Sequence, residues 1–234
     1  MRAWIYDKVF LRLTAGWYRE VLRRLPRGAR ILDVGIGTGS ALAKNAGLVN
    51  ERGLHVVGID VDGGYLRSCR RRVADAGLSR SVTARLESVY DHRGGPYDAV
   101  YFSGSFMLLS DPVGALRHVA DLLSPAGRIY FTQTINTRRA PLLERLKPAL
   151  HRLTSIHFGQ VTYEHELTDA ILRAGLKLEG WHPLGRAGSL TFCLATARPL
   201  AGPTSVERWP TPPPLPRDHQ LGGSRQPASA SFSG

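Results

Sequence analysis

The stretch Ile31-Leu32-Asp33-Val34-Gly35-Ile36-Gly37-Thr38-Gly39-Ser40 constrains what this chain can fold into more than any other part of it. An apolar run of strand character leads into a turn with glycine at every second position, and then into residues of helical pattern. Glycine lets the backbone take dihedrals closed to other residues and approach a ligand with no Cβ in the way. Free N–H groups at the start of the following helix favour a polar or negatively charged ligand group. Strand, glycine turn and helix in that order open a βαβ unit, which places the ligand at the carboxyl end of the strand.

The same alternation continues along the chain. Residues 4–25 carry apolar groups at helical spacing, with Phe10, Leu13, Trp17 and Val21 on one side, and stop at Pro26. Strands are expected at 30–34, 54–59, 81–86, 99–103 and 128–132, with helices from about Ser40, over 64–76 and over 112–123. Further helices are expected over 142–153 and 163–174, then closing strands at 176–181 and 190–195, parted by a turn containing Pro and Gly. Strands separated by helices of this length form parallel units with right-handed crossovers. The pattern therefore predicts a Rossmann-like doubly wound α/β sheet of about seven strands with an N-terminal helix, occupying residues 1–198. Residues 199–234 are rich in Pro, Gly and Ser and lose hydrophobic periodicity, so they read as a disordered tail. Within it, 211–216 has the composition of a polyproline II segment.

Composition narrows the function classes. The two cysteines, Cys69 and Cys193, form no CxxC pair and no metal-spaced cluster with histidine, so no disulfide framework or metal site is expected. Apolar runs such as 99–102 and 106–109 are too short to span a bilayer. Asp7 and Lys8 interrupt the first ten residues, so no secretory signal is expected and the cytoplasm is the default address. An arginine-rich helical N-terminus leaves an organellar address as the lesser reading. The net charge of +12 is almost all arginine and is scattered, with one dense run at Arg70-Arg71-Arg72 inside a helix. A solvated helix face accounts for that run better than a nucleic-acid surface does.

A dinucleotide fingerprint would need Gly or Ala at position 40, where Ser40 stands. The observed order, G-x-G-x-G preceded by Asp33, resembles the first motif of class I S-adenosylmethionine-dependent methyltransferases. Three further segments follow in the family's order. Val56-Val57-Gly58-Ile59-Asp60 is a buried strand ending in a carboxylate, and Leu86-Glu87-Ser88 closes the third strand. Tyr97-Asp98-Ala99-Val100 resembles the family's fourth strand, and the turn 123–128 its hairpin before strand five. The resemblance covers roughly residues 30–135, and its boundaries are good to a few residues. It implies that Asp33, Gly35, Gly37, Gly39, Asp60, Glu87, Ser88 and Ser103 bind S-adenosylmethionine. Asp60 would take the ribose hydroxyls, and Glu87 or Ser88 the adenine amino group, the choice being left open. Asp62 is better read as a helix N-cap.

Methyl transfer from a sulfonium needs alignment, exclusion of water and, for some acceptors, removal of a proton. The loop Ser103-Gly104-Ser105-Phe106 lacks the Asn/Asp-Pro-Pro-Tyr/Phe motif of amide and exocyclic-amine methylation. Catalytic candidates are His157, Ser105 and Tyr6, with Tyr163 and His165 beside them. The loop order resembles methyltransferases of ubiquinone biosynthesis, and the apolar 106–109 stretch suits either a hydrophobic acceptor or plain core packing. The leading expectation is an enzyme methylating a small or lipid-like molecule. The alternatives are a protein or RNA methyltransferase, prompted by the charge, and a non-catalytic methyltransferase-like binding module. A nicotinamide oxidoreductase stands last.

Overall fold

The computed structural model describes residues 2–136, 164–187 and 190–200. Its contacts divide the chain into Met1–Pro203 and Thr204–Gly234. The second unit lies outside the described residues, as do the tail from 201 onward and the helix expected over 142–153.

In chain order the elements are α1 (Arg2–Arg24), β1 (Arg30–Val34), α2 (Ser40–Ala43), α3 (Ala46–Arg52), β2 (His55–Asp60), α4 (Gly63–Asp75) and β3 (Val82–Leu86). Then come β4 (Tyr97–Ser103), a 3-10 turn (Phe106–Leu108), α5 (Pro112–Asp121), β5 (Leu123–Asn136), α6 (Glu164–Arg173), β6 (Leu176–Ala187) and β7 (Leu190–Pro199). The seven strands form one sheet in the order β3-β2-β1-β4-β5-β7-β6. β1 to β5 pair in parallel, and β7 is antiparallel to both β5 and β6. Strand order reverses between β1 and β4, which opens the ligand-binding crevice of such sheets beyond the carboxyl ends of these strands.

Each face of the sheet has its own core. On one face α1 to α4 pack Tyr18, Leu22, Leu42, Leu66 and Val73 over Ile31, Val56 and Tyr101. On the other, α5 and α6 pack Leu116, Val119, Leu167 and Ile171 over Leu32, Val100 and Phe131. Register explains the division, because Asp33 pairs with Tyr101 while Leu32 pairs with Val100, so alternate residues face opposite helices.

Two local outcomes differ from the sequence expectation. The helix after the glycine turn breaks at Lys44-Asn45 into α2 and α3. Buried Asn45 donates to the carbonyls of Ala41 at 2.8 Å and of Ala15 in α1 at 2.9 Å, trading helical continuity for a tie to α1. The expected turn between the closing strands is also shorter, since Pro183 and Gly185 lie inside β6 at a register shift. β6 is the outermost strand, where a missing N–H breaks no ladder if it faces away from β7.

Asp98 joins three pieces of backbone. Its Oδ2 accepts from Arg30 N at 2.9 Å and its Oδ1 from Ser124 Oγ at 3.0 Å. Residues 124–127 bulge between the pairs Tyr97↔Leu123 and Ala99↔Arg128, which is where the sequence places a hairpin turn. Beneath α5, Phe131 stacks on Phe102 at 5.4 Å between ring centroids and meets Phe106 edge-on at 5.1 Å. Truncating a filled aromatic site of this kind costs about 3–5 kcal/mol. Phe131→Ala is therefore expected to lower the urea midpoint by that equivalent without changing the slope; a loss below about 1 kcal/mol would show that this layer collapses freely.

Candidate donor and acceptor site

The chain leaves β1 through Gly35, Gly37 and Gly39, with φ of +77°, +59° and +66°. Gly35 N and Ile36 N both donate to the Ile59 carbonyl, at 2.9 and 3.1 Å, so the end of β2 holds the turn. A Cβ on Gly35 would lie 2.6 Å from Ser105 Cβ, and one on Gly39 2.6 Å from Cys69 Sγ. At Gly37 the nearest atom to such a Cβ would be Gly35 O, at 4.0 Å. Close packing therefore requires the outer two glycines, while Gly37 faces open space.

Asp60 lies beside this opening. Its Oδ2 accepts from Gly37 N at 2.8 Å and its Oδ1 from Asp62 N at 2.9 Å. Each oxygen keeps a second lone pair, so the carboxylate can still accept from a pair of hydroxyls. Asp62 caps α4, accepting from Gly64 N at 2.7 Å and Tyr65 N at 2.9 Å.

Asp33 is fully buried on the α1 side of β1. Tyr18 of α1 donates to its Oδ2 at 2.7 Å, while Oδ1 has no partner among the described residues. Burial pushes the Asp33 carboxyl up to about 7; the Tyr18 hydrogen bond works against this and the nearby Asp60 charge adds to it. Tyr18 meets Tyr101 edge-on at 4.9 Å, and Tyr101 shares a 2.7 Å hydrogen bond with Thr132 and another with Ser103. Burial also raises both phenols, so neither is a ready base.

Past β4, the Ser105 hydroxyl donates to the Val34 carbonyl and pins the loop to the end of β1. Ser103 and Ser105, predicted as a donor contact and a catalytic candidate, are thus both engaged within the protein. Trp17 of α1 lies near Gly104, whose Cβ would be 4.0 Å from the indole, and its ring centroid is 5.8 Å from that of Phe192 in β7. Phe106 is part of the aromatic core, whereas Leu108 is exposed. Core packing therefore accounts for the apolar 106–109 stretch at Phe106.

Beyond β3, Glu87 N donates to the Asp60 carbonyl at 3.1 Å, which brings one of the two predicted adenine-site residues next to Asp60. Its Oε2 is 2.9 Å from Nδ1 of the buried His92. Ser88 begins a tight turn, with its carbonyl accepting from Asp91 N and His92 N at 3.1 Å. Two residues escaped the sequence reading. Val61, 75% exposed after β2, and Leu86, 62% exposed at the end of β3, are apolar side chains left in solvent at the crevice. Their signal was available, since both directly flank acids of the motif set, but strand patterning counts such residues as core. His165 is exposed on the first turn of α6. The side chain of Tyr6, and His157 and Tyr163 entirely, lie outside the described residues.

The arginine run serves local structure. Arg70 donates to the Ala84 carbonyl at 3.0 Å, Arg72 to the Thr38 carbonyl at 3.3 Å, and Arg71 to Ser68 Oγ at 3.5 Å. Among the described residues no group of His, Cys, Asp and Glu is arranged to hold a metal, and no helix is long and apolar enough to cross a membrane.

Known proteins place this geometry. A family model described as a methyltransferase domain matches residues 32–131. The chain is 28% identical over 191 residues to the ubiquinone biosynthesis O-methyltransferase of Bordetella avium, covering 81% of this chain and 77% of that protein. It is 36% identical over 111 residues to the aklanonic acid methyltransferase DauC of a Streptomyces species, covering 46% of this chain and 49% of that one. Among solved structures, the cyclase SpnF superposes with a TM-score of 0.63 at 18% identity, covering 81% of each chain, a likeness of fold. Residues 32–131 thus match a methyltransferase domain, and the sheet has the fold of the class I S-adenosylmethionine-dependent methyltransferases. The chain is an enzyme with S-adenosylmethionine as its methyl donor.

The buried carboxyl sets a pH dependence. An unfolded Asp ionises near 3.8, whereas the folded Asp33 holds its proton to about 7. Between those values the folded state binds more protons, so this group's contribution to stability falls as pH rises, by at most about 1.4 kcal/mol per unit, and levels off above. Asp33→Asn is expected to remove the fall. Urea unfolding at several pH values should show the variant gaining on the wild type between about pH 4 and 7; a difference independent of pH would mean that Asp33 is ionised throughout.

Proposed function

We propose that this methyltransferase acts on a small, hydrophobic acceptor bearing a hydroxyl group, and that it holds its donor through Asp33, Gly37, Asp60, Val61, Leu86 and Glu87. For the donor, the reading rests chiefly on the buried, unpartnered Asp33 Oδ1, which can accept the ammonium of an amino-acid moiety. Asp60 accepts the ribose hydroxyls beside Gly37, where no side chain intervenes. Val61 and Leu86 supply apolar surface for the adenine ring, with Glu87 at its amino edge. Gly35 and Gly39 shape the loop, and Ser103 and Ser88 support it from the fourth and third strand ends. When bound, the donor supplies an electrophilic methyl group.

The acceptor reading is drawn from relatives named for ubiquinone biosynthesis and for aklanonic acid, and from the aromatic pair Trp17–Phe192 beside Gly104. An apolar wall there orients a ring or chain and excludes water, which carries most of the catalytic burden in an in-line displacement. Ser105 positions the loop through its bond to Val34 and is not a base. His157 is kept as the candidate base and Tyr6 as a covering residue. Residues 1–198 form the catalytic domain in this reading, 199–234 a passive tail, and the cytoplasm its compartment. Nucleic acid is not favoured as a partner, because the dense arginine run is engaged with backbone carbonyls and a neighbouring hydroxyl.

Calorimetric titration with S-adenosylhomocysteine tests the donor assignment. The wild type should bind it and ignore NAD, and Asp60→Ala should weaken binding at least about tenfold, the worth of hydrogen bonds to a charged group. Below about pH 7 binding should release a proton from Asp33, so the measured heat varies with the buffer and affinity rises with pH up to that point. Equal binding by the Asp60 variant would sink the assignment of Asp60 to the ribose.

A further inference from the structure

The loop 87–96 buries an imidazole between two partners. His92 is wholly inaccessible, with Nδ1 2.9 Å from Glu87 Oε2 and Nε2 2.8 Å from the Tyr97 hydroxyl. A carboxylate accepts only, so Nδ1 carries the proton and donates to Glu87. Nε2 then offers its lone pair to the Tyr97 O–H, which makes the tautomer a consequence of the network. Tyr97 is fixed in turn: it is 1% exposed at the start of β4, and the Arg30 guanidinium lies 5.4 Å from its ring centre. His118 adds a 2.7 Å contact from its Nε2 to the His92 carbonyl. The loop also makes room for the pair, since a Cβ on Gly94 would lie 2.4 Å from Tyr97 Oη and 2.5 Å from His92 Nε2.

Burying a histidine in this way costs free energy unless both nitrogens are satisfied, and an apolar residue would fill the same space without that requirement. The arrangement does one thing an apolar residue cannot do: it holds the carboxylate of Glu87. Glu87 is anchored by its backbone to Asp60 and stays partly exposed at the crevice. With Oε2 committed to His92, Oε1 has no hydrogen bond among the described residues.

We propose that His92 and Tyr97 are positioning residues that lock Glu87 with Oε1 toward the donor's purine, making the enzyme selective for a 6-amino over a 6-oxo base. This rests on the donor reading above. A held carboxylate accepts from an exocyclic amino group and repels a carbonyl oxygen at the same position, because neither of the latter two oxygens can donate. An unheld one could swing away and relieve that repulsion.

The test compares dissociation constants of S-adenosylhomocysteine and S-inosylhomocysteine by calorimetry on the wild type, Tyr97→Phe, His92→Gln and Glu87→Gln. Tyr97→Phe removes only one hydroxyl, so it keeps the test valid if the His92 variant fails to fold, which circular dichroism would reveal. The wild type should prefer the adenosyl compound, and Tyr97→Phe should narrow the preference about threefold or more, the worth of one hydrogen bond. Glu87→Gln should narrow it further, since an amide can donate to the 6-oxo group, and in that background Tyr97→Phe should have no additional effect. A purely structural role would weaken both ligands alike and leave the ratio untouched, which overturns the proposal. If the wild type bound neither compound, the donor reading would fall and this inference with it; binding of both without preference would overturn the inference alone.

Discussion

The Ile59 carbonyl accepts two successive N–H groups, from Gly35 and Ile36, and the architecture of the site depends on that double bond. It ties the end of β1 to the end of β2 where the sheet order reverses, so the glycine turn cannot lift away from the sheet. Gly58, one residue earlier in β2, makes the fit possible: a Cβ there would lie 2.2 Å from Ile36 Cδ1. With Ile36 seated over Gly58, Gly37 N points at Asp60 and that carboxylate is oriented by backbone. An acid held by main-chain donors on both oxygens needs no flexible partner and is arranged before the ligand arrives.

Asp33 shows the opposite solution. Nothing in the sheet neutralises it, and its one hydrogen bond comes from a helix fifteen residues earlier in the chain. A carboxylate with one satisfied oxygen and one empty one is poorly solvated, and burial accordingly favours its protonated form. Below about pH 7 the free protein thus keeps this carboxyl largely protonated under α1, and in the proposed donor site a cationic ligand group supplies what ionisation requires. The ionisation of Asp33 and the seating of α1 are linked through Tyr18, because the hydroxyl that lowers the cost of the Asp33 charge belongs to the helix covering it.

The glycine spacing, the acid ending β2 and the alternation of elements were legible in sequence because each is set by local rules: positive φ, strand termination and helical period. Asp62 as an N-cap was legible for the same reason. What escaped involves partners distant in the chain. Tyr18 looks like any apolar-face residue of α1 until Asp33 is found beneath it. Ser105 reads as a free hydroxyl at the end of β4, yet the Val34 carbonyl claims it. Asn45 breaks a helix only because α1 presents a carbonyl to it. Pro183 reads as a turn residue, but an outermost strand tolerates it. Val61 and Leu86 were passed over because periodicity assigns apolar residues to the core, and only the folded chain shows them left outside it.

The two faces of the sheet therefore carry different duties. The α5–α6 face is closed by Phe102, Phe106 and Phe131, a layer of stacked and edge-on rings whose role ends with stability. The α1 face mixes core with polar groups, since Tyr18, Asp33, Tyr101 and Thr132 are buried among aliphatic side chains there. Polar groups placed in a core weaken it unless paired, and here all but one oxygen of Asp33 in that chain are paired. This unpaired Asp33 oxygen lies on β1 two residues before Gly35, close to where the sheet's crevice begins. Along the line from Tyr18 through Asp33 and Tyr101 to Thr132 every other buried polar side-chain atom is satisfied, which is why the proposed donor reading rests on this acceptor.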